Sequence, residues 1–275
     1  MSKAKSGQLL KGKTGIILGA LNEQSLAWHI ALQCKQEGAR ILLSNNRVAL
    51  RLGWIHELAA LTAAPVVCTD MADMAQVEQL IDDAMEHFGG KIDFILHGAA
   101  MSYNIRKQNP YTDLDHILQQ KTMNVSALSL HKLLQAAFQK NAINEWGSVV
   151  ALTFAAAQRV FPGYNEMGDA KALLESIARS FGYYYGKTHK VRINTISQSP
   201  VKTIAGDVID NFDRFFHYTD QVSPLGNAPA AALAKFCVTL FSDYTRYLTM
   251  QNIFHDGGFS MTGISDDIEA LNTIK

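Results

Sequence analysis

Seven short runs, almost wholly apolar and rich in β-branched residues, are spaced along this chain by longer stretches of helical periodicity, and no other feature restricts its fold so sharply. They are TGIILGA (14–20), ARILLSN (39–45), APVVCTD (64–70), KIDFILHG (91–98), GSVVALTF (147–154), VRINTIS (191–197) and MQNIFHDGG (250–258). A strand with one wet face alternates polar and apolar residues; a strand apolar throughout must be covered on both faces. The intervening segments 25–37, 47–61, 74–88, 112–140, 165–185 and 229–242 carry the helical pattern, the last opening on Pro229, a residue suited to a first turn. Strand–helix alternation needs right-handed crossovers and yields an α/β, three-layer, doubly wound parallel sheet of about seven strands. No repeat, low-complexity tract or linker breaks the rhythm, so residues 1–275 are expected to form a single domain. One stretch departs from it. SPVKTIAGDVIDNFDRFFHYTDQVSPLG (199–226) is long, aromatic and bounded by Pro200 and Pro224. It lies after a strand end, where such sheets carry lids and substrate walls, and reads as a lid over about residues 200–222.

Composition removes several classes of function. Formal net charge is zero, so nothing draws the chain generally to nucleic acid or to a membrane surface. The three cysteines, Cys34, Cys68 and Cys237, are scattered and odd in number, which argues against a disulfide framework and a metal site and fits a reducing cytoplasm. No apolar run approaches the roughly 18 residues of a membrane span. The opening MSKAKSGQLLKGK is polar and reads as a tail rather than a secretory signal.

In a doubly wound, Rossmann-like sheet the ligand sits beyond the carboxyl ends of the strands. The familiar G-x-G-x-x-G is missing; the first strand runs instead into GALNEQSLA (19–27). Gly19 permits a sharp turn, and Ser25 stands where the helix begins, able to cap it or to bond a phosphate. The free N–H groups and partial positive charge of that helix end suit a pyrophosphate, although an ordinary strand–helix turn with a serine cap accounts for the same residues. The second strand ends in Ser44-Asn45-Asn46-Arg47, without the carboxylate that commonly grips an NAD ribose. Asn46 suits ribose hydroxyls, and Arg47 or Arg51 a phosphate, unless the arginines merely solvate a helix. Asp70, after the third strand, suits the adenine amino group or a helix cap. The small residues of HGAAM (97–101) let backbone approach a cofactor, or pack tightly against a helix.

GYNEMGDAK (163–171) places Tyr164 seven positions before Lys171, and YYYGKTHK (183–190) repeats the spacing with Tyr183 and Lys190. Seven helical residues turn about 700°, close to two full turns, so the members of such a pair share a face if the helix is continuous. The first pair is expected to meet this condition, with Gly168 allowing close packing. The second is expected to fail, because Gly186 reads as a helix end. A lysine near the Tyr164 phenol would lower its pKa, and would also be placed to hold a nicotinamide ribose. A reductase needs a donor aimed at an oxygen that becomes negative as hydride arrives.

Together these residues make the chain resemble the short-chain dehydrogenase/reductase superfamily, and within it the enoyl-acyl-carrier-protein reductases of bacterial type II fatty-acid synthesis. Ordinary short-chain enzymes use Tyr-x3-Lys with a serine thirteen before the tyrosine, positions held here by Gly168 and Ala151. The enoyl reductases use Tyr-x6-Lys, which Tyr164 and Lys171 match. The likeness extends from LKGKTGIILGALNEQSLAW through RVFPGYNEMGDAKALLESIARSFG and VRINTISQSPVKT to HDGGFS.

The resemblance implies an oxidoreductase using NADH, with NADPH not excluded, to saturate a trans-2-enoyl thioester carried by acyl carrier protein, in a cytoplasmic homotetramer. Tyr164 and Lys171 would be catalytic, Tyr164 donating to the thioester oxygen while hydride reaches C3. Gly19, Ser25 and Leu26 would line the pyrophosphate, and Asn46 the adenosine ribose. Asp70 and Met71 would flank adenine, Gly98, Ala99 and Ala100 would pass under the riboses, and Lys171 would bind the nicotinamide ribose. Val201 would meet the carboxamide and Thr203 a phosphate. Met101, Phe154, Tyr164, Phe212 and Phe215 would contact substrate, with Phe216 as a further wall or as core. Phe154 stands where the family has a second tyrosine, Gly98-Ala99-Ala100 where it has Ser-Ile-Gly, and Asp207, Asp210 and Asp213 make the lid unexpectedly acidic for carrier docking, against Lys202 and Arg214. Asn124 matches the relay asparagine of ordinary short-chain enzymes, or holds a helix bend. FGYYYG (181–186) is a candidate subunit interface, or core. Two other readings stay open on these residues: a diverged reductase of another conjugated or carbonyl substrate, and a nucleotide-binding protein without catalysis.

Overall fold

The computed structural model describes residues 8–203 and 212–264. Strands β1 (Thr14–Leu18), β2 (Arg40–Asn45), β3 (Val66–Cys68), β4 (Ile92–His97), β5 (Ile143–Thr153), β6 (Arg192–Gln198) and β7 (Asn252–His255) form one sheet in the order β3-β2-β1-β4-β5-β6-β7. Every pairing is parallel. The expected α/β, doubly wound, Rossmann-like sheet is therefore present. The chain reverses its direction of winding between β1 and β4, which opens a crevice at their carboxyl ends.

Consecutive apolar residues on the central strands face opposite sides, and each side is roofed by helices. Ile16, Leu42, Ile95 and Val149 pack with α4 (Met74–Phe88), α7 (Ser129–Gln139) and α8 (Glu166–His189). Their neighbours Ile17, Leu43, Leu96 and Val150 pack with α1 (Leu26–Gln36), α3 (Trp54–Thr62) and α10 (Ala230–Phe241). A wholly buried Leu or Ile contributes on the order of 1.5–3 kcal/mol, so both layers are stabilised by the same strands. This is why the strand sequences lack alternation.

Several helices differ from their expected bounds, each for a local reason. The segment 47–61 is two helices, α2 (Arg47–Leu52) and α3, because Gly53 adopts φ 85° and breaks the ladder. The segment 112–140 opens on a 3₁₀ turn Tyr111–Asp113, after which α6 (His116–Met123) runs into α7 without a gap through a π-turn Asn124–Leu128. Asn124 thus sits at a bend, and its side-chain oxygen accepts from Lys132 Nζ. Gly186 does not end α8, which runs on to His189 before Lys190 closes it in the left-handed conformation. Helix α5 (Tyr103–Lys107) and helix α9 (Phe212–Val222) complete the set among the described residues. The lid positions 204–211, with Asp207 and Asp210, lie outside those residues.

Candidate active site

At the crevice, Gly19 (φ 90°) and Gly98 run side by side: a Cβ on Gly19 would lie 2.6 Å from the Gly98 carbonyl group, and one on Gly98 would lie 2.7 Å from the Leu18 oxygen. No other residue type fits either place without moving backbone. Ser25 occupies the N-cap position of α1 but does not cap it. Its hydroxyl donates back to the Asn22 carbonyl (2.7 Å) and accepts from the Leu21 N–H (3.2 Å). The expected cap is therefore a turn-closing contact; the Trp28 N–H donates to Ser25 O (3.1 Å), and the N–H groups of Leu26 and Ala27 are left for an anion.

The adenosine end is built from β2 and β3. Asn45, which sequence reasoning missed, ties the end of β2 to the turn after β1 by donating to Ala20 O at 2.8 Å. Asn46 caps α2 through the Ala49 N–H (3.0 Å), so its oxygen is committed and its amide N–H₂ is what it has to offer a ribose. Asp70 uses one oxygen to accept from the Ala72 N–H (2.9 Å), and Asp73 rather than Asp70 caps α4. With Arg47, Cys68 and Gln76, Asp70 lines an open cleft of about 450 Å³. The Met71 side chain is buried in the core, which leaves only its backbone for adenine.

The floor continues from β4. Ala99 is half-buried, Ala100 exposed and Met101 half-buried. Met101 is clasped by Ser126 of the π-turn, whose hydroxyl accepts from the Met101 N–H (2.9 Å) and donates to the Met101 carbonyl (3.0 Å). No sequence signal marks Ser126, because a π-turn shifts the helical register that would have located it. Beneath the floor, His97 is buried, with Nε2 2.8 Å from the Ser129 hydroxyl. Burial, and then the charge of Lys171, push its pKa down to about 3. Val201 and Thr203 come after β6, both half-buried at the same edge.

Tyr164 and Lys171 are brought to this edge, but not as helical geometry alone suggests. Helix α8 starts at Glu166, so Tyr164 lies ahead of it, in a turn where its N–H donates to Phe161 O (3.1 Å). Lys171 is buried and donates to Leu152 O at 2.8 Å, and no hydrogen bond between it and Tyr164 is found among the described residues. Burial lowers the Lys171 pKa to about 8, partly opposed by Glu175. Burial also raises the Tyr164 pKa, the reverse of the expected depression, so the phenol stays protonated. Glu175, also missed, accepts from Thr153, Asn252 and Gln158 and so stiffens the α8 turn after Lys171. Gly168 packs on the turn Ala155–Ala157, where a Cβ would come 3.0 Å from Ala156 O. In the second pair, Lys190 bonds Glu145 (2.8 Å) while Tyr183 meets Lys187, so that spacing has no functional partner.

Phe154 completes an aromatic wall. Its ring lies 4.9 Å from Phe161, 5.1 Å from Tyr164 and 6.1 Å from Phe215. Phe212 and Phe216 extend the wall along α9, and Phe259 joins through Phe161 at 6.1 Å. Phe161 and Phe259 are additions to the sequence reading; their place beside Tyr164 is a tertiary fact. Asp213 is paired with Lys202 at 2.7 Å, which offsets part of the lid's negative charge. Among the described residues no group of side chains could hold a metal ion, and no helix is long and apolar enough to cross a membrane.

A parallel sheet with a glycine-lined crevice, an uncapped helix end and a tyrosine–lysine edge defines a dinucleotide-dependent reductase of the short-chain type. The family model described as "Enoyl-(Acyl carrier protein) reductase" matches residues 19–260, and the chain belongs to that family. The chain is 31% identical, over 95% of its own length and 95% of the relative's, to "Enoyl-[acyl-carrier-protein] reductase [NADH] 1" of Rhizobium meliloti. Among solved structures, the FabI–NADH complex from Alistipes finegoldii is 53% identical with a TM-score of 0.93, covering 94% of this chain and 91% of that one. The Aquifex aeolicus enoyl-[acyl-carrier-protein] reductase (NADH) is 30% identical with a TM-score of 0.87, covering 94% and 100%.

Proposed function

We propose that this chain is an enoyl-acyl-carrier-protein reductase that saturates the trans-2 double bond of enoyl thioesters with NADH, working as a single dinucleotide-binding domain with a substrate lid. The observation that carries the reading is the position of Tyr164, packed 5.1 Å from the Phe154 ring and just ahead of the helix whose Lys171 bonds Leu152 O. The residues present fit the dinucleotide. The first-turn N–H groups of α1 suit the pyrophosphate, with Gly19, Ser25 and Leu26 around it. Asn46, Asp70 and the Met71 backbone suit the adenosine, Gly98 to Ala100 the riboses, and Val201 and Thr203 the nicotinamide end.

A bound reduced nicotinamide supplies the hydride. The protein's part is to hold, orient and donate. Tyr164, kept protonated by burial, donates to the thioester oxygen as that oxygen gains charge. Lys171 offers its ammonium to the ribose, leaving the Leu152 carbonyl to do so. Met101, Phe154, Phe212 and Phe215 enclose the acyl chain and exclude water from it. The carrier protein as substrate donor, the homotetramer and the cytoplasmic location are part of this proposal and rest on family membership.

The test is loss of near-ultraviolet nicotinamide absorbance with a crotonyl or dodecenoyl thioester, run in parallel with NADH and NADPH. Turnover with NADH supports the proposal; turnover only with ketones would replace it. NADPH belongs in the comparison because β2 ends at Asn45 and is followed by Asn46 and Arg47, with no carboxylate to repel a 2′-phosphate. Tyr164→Phe should lower kcat by roughly a hundredfold or more while NADH affinity holds, since only a transition-state donor is lost.

A further inference from the structure

Glu166 is wholly buried and has no part in the chemistry above. One carboxylate oxygen accepts three hydrogen bonds, from Ser102 Oγ (2.7 Å), Thr122 Oγ1 (2.9 Å) and the Asn104 N–H (3.1 Å). The other oxygen is buried and has no hydrogen-bond partner among the described residues. A buried carboxylate without a cation is costly, and three donors on one oxygen are what offset that cost. The donors come from the segment that continues the cofactor floor beyond Met101 and from α6. The acceptor stands at the first residue of α8, two positions after Tyr164.

Between them lies Asn165, with φ 43° and ψ −138°, a conformation that residues with side chains rarely adopt. Such a corner persists only where its surroundings hold it from both sides. Here they do. Asn165 Nδ2 donates to Asn109 O at 2.7 Å, and Glu166 is anchored to residues 102, 104 and 122. Asn104 in turn bonds Asn109 and Asp115, so the anchoring segment is itself tied. Tyr164 has no helix to fix it, because α8 begins after it. Its direction is set instead by a strained corner and by what grips the far side of that corner.

We infer that Glu166 is a positioning residue for Tyr164. Its carboxylate couples the Tyr164 turn to the cofactor floor, so that phenol and nicotinamide keep one relative geometry. The inference rests on the reductase reading above.

The experiment uses steady-state kinetics on the intact chain with an enoyl thioester, NADH affinity by cofactor fluorescence, and a double-mutant cycle with Tyr164→Phe. Glu166→Leu should lower kcat about tenfold or more, as a small misplacement of a catalytic group does, while the NADH Kd changes less than about threefold. Glu166→Gln, which keeps an oxygen for the three donors, should recover most of that loss. In the Tyr164→Phe background Glu166→Leu should have no further effect on kcat, because a positioning residue has nothing left to position. Equal losses in both backgrounds, or a parallel loss of NADH affinity, would overturn the role, since general packing damage predicts those. So would an unchanged kcat. If Glu166→Leu does not fold, Thr122→Val removes one donor without opening a cavity and is judged by the same cycle. No turnover by the wild-type chain would overturn the reductase reading and this inference together; normal wild-type turnover with an uncoupled cycle would overturn only the role of Glu166.

Discussion

The ring of Phe154 lies 5.1 Å from that of Tyr164, tilted by 49°, so the phenol shares a wall with an apolar aromatic where the family commonly has a second hydroxyl. With Phe161 and Phe215 on its other sides, Phe154 is a packing residue of the aromatic wall that we propose lines the acyl chain. Phe154→Ala should therefore act on chain length. The KM for a dodecenoyl thioester should rise about tenfold, and that for a crotonyl thioester by less than about threefold, because only the longer chain reaches the lost surface. Equal changes for both would place Phe154 away from the acyl chain.

Lys171 has an unusual titration for a residue proposed to bind the ribose. Its pKa is lowered by burial to about 8, against an ordinary value of 10.5. A base with a depressed folded-state pKa carries a buried charge that destabilises the fold below pH 8. As pH rises from about 8 to 10.5 the unfolded chain still holds the proton and the folded chain does not, so this penalty disappears. Relative to Lys171→Met, wild-type stability should rise by about 1.4 kcal/mol per pH unit across that window, read from urea unfolding at each pH. The same variant should bind NADH about tenfold more weakly, the loss of one charged hydrogen bond.

His97 makes the opposite limb of the pH profile. The Ser129 hydroxyl donates to Val125 O at 2.6 Å, so its oxygen accepts from His97 Nε2–H, and the ring is neutral with Nδ1 unprotonated. Its pKa of about 3, set first by burial, lies below the ordinary 6.5. The stability tied to the neutral ring is present above pH 6.5 and lost as pH falls toward 3, because the unfolded chain takes up the proton first. Wild-type stability should fall by about 1.4 kcal/mol per unit below pH 6.5, and His97→Leu should flatten that slope. Matching slopes would mean that the ring is hydrated.

Arg192 is buried, with no carboxylate in direct contact among the described residues, and donates to the carbonyls of Leu240, Ser242 and Thr245 and to the Thr245 hydroxyl. It closes the carboxyl end of α10 onto β6, far from the crevice. Arg192→Met should destabilise the fold by about 3 kcal/mol, seen as a lower urea midpoint, because several buried carbonyls lose their donor at once. Turnover per folded molecule should not change.

The layers of the fold were legible because burial leaves a periodic trace. Ile16 and Ile17, or Val149 and Val150, are adjacent apolar residues that serve opposite faces, and only a strand between two helical layers needs both. Breaks in helices were legible only in part. Gly53 interrupts one helix where Gly186 is simply carried through another, since a glycine permits a break but does not require one. FGYYYG divides in the same way: Tyr185 is core, while Tyr183 and Tyr184 are exposed, which periodicity alone leaves ambiguous.

By itself the sequence determined the doubly wound sheet, the strand ends at which a ligand must sit, and the identity of the phenol and the amine. All three come from local pattern, which each segment carries within itself. Only the tertiary structure decided that Tyr164 stands outside its helix, that Lys171 rests on Leu152, that Ser126 clasps Met101, and that Glu166 anchors the corner between phenol and helix. Each of these is a contact between residues distant in the chain, and no spacing within one segment encodes where another segment will place its donor.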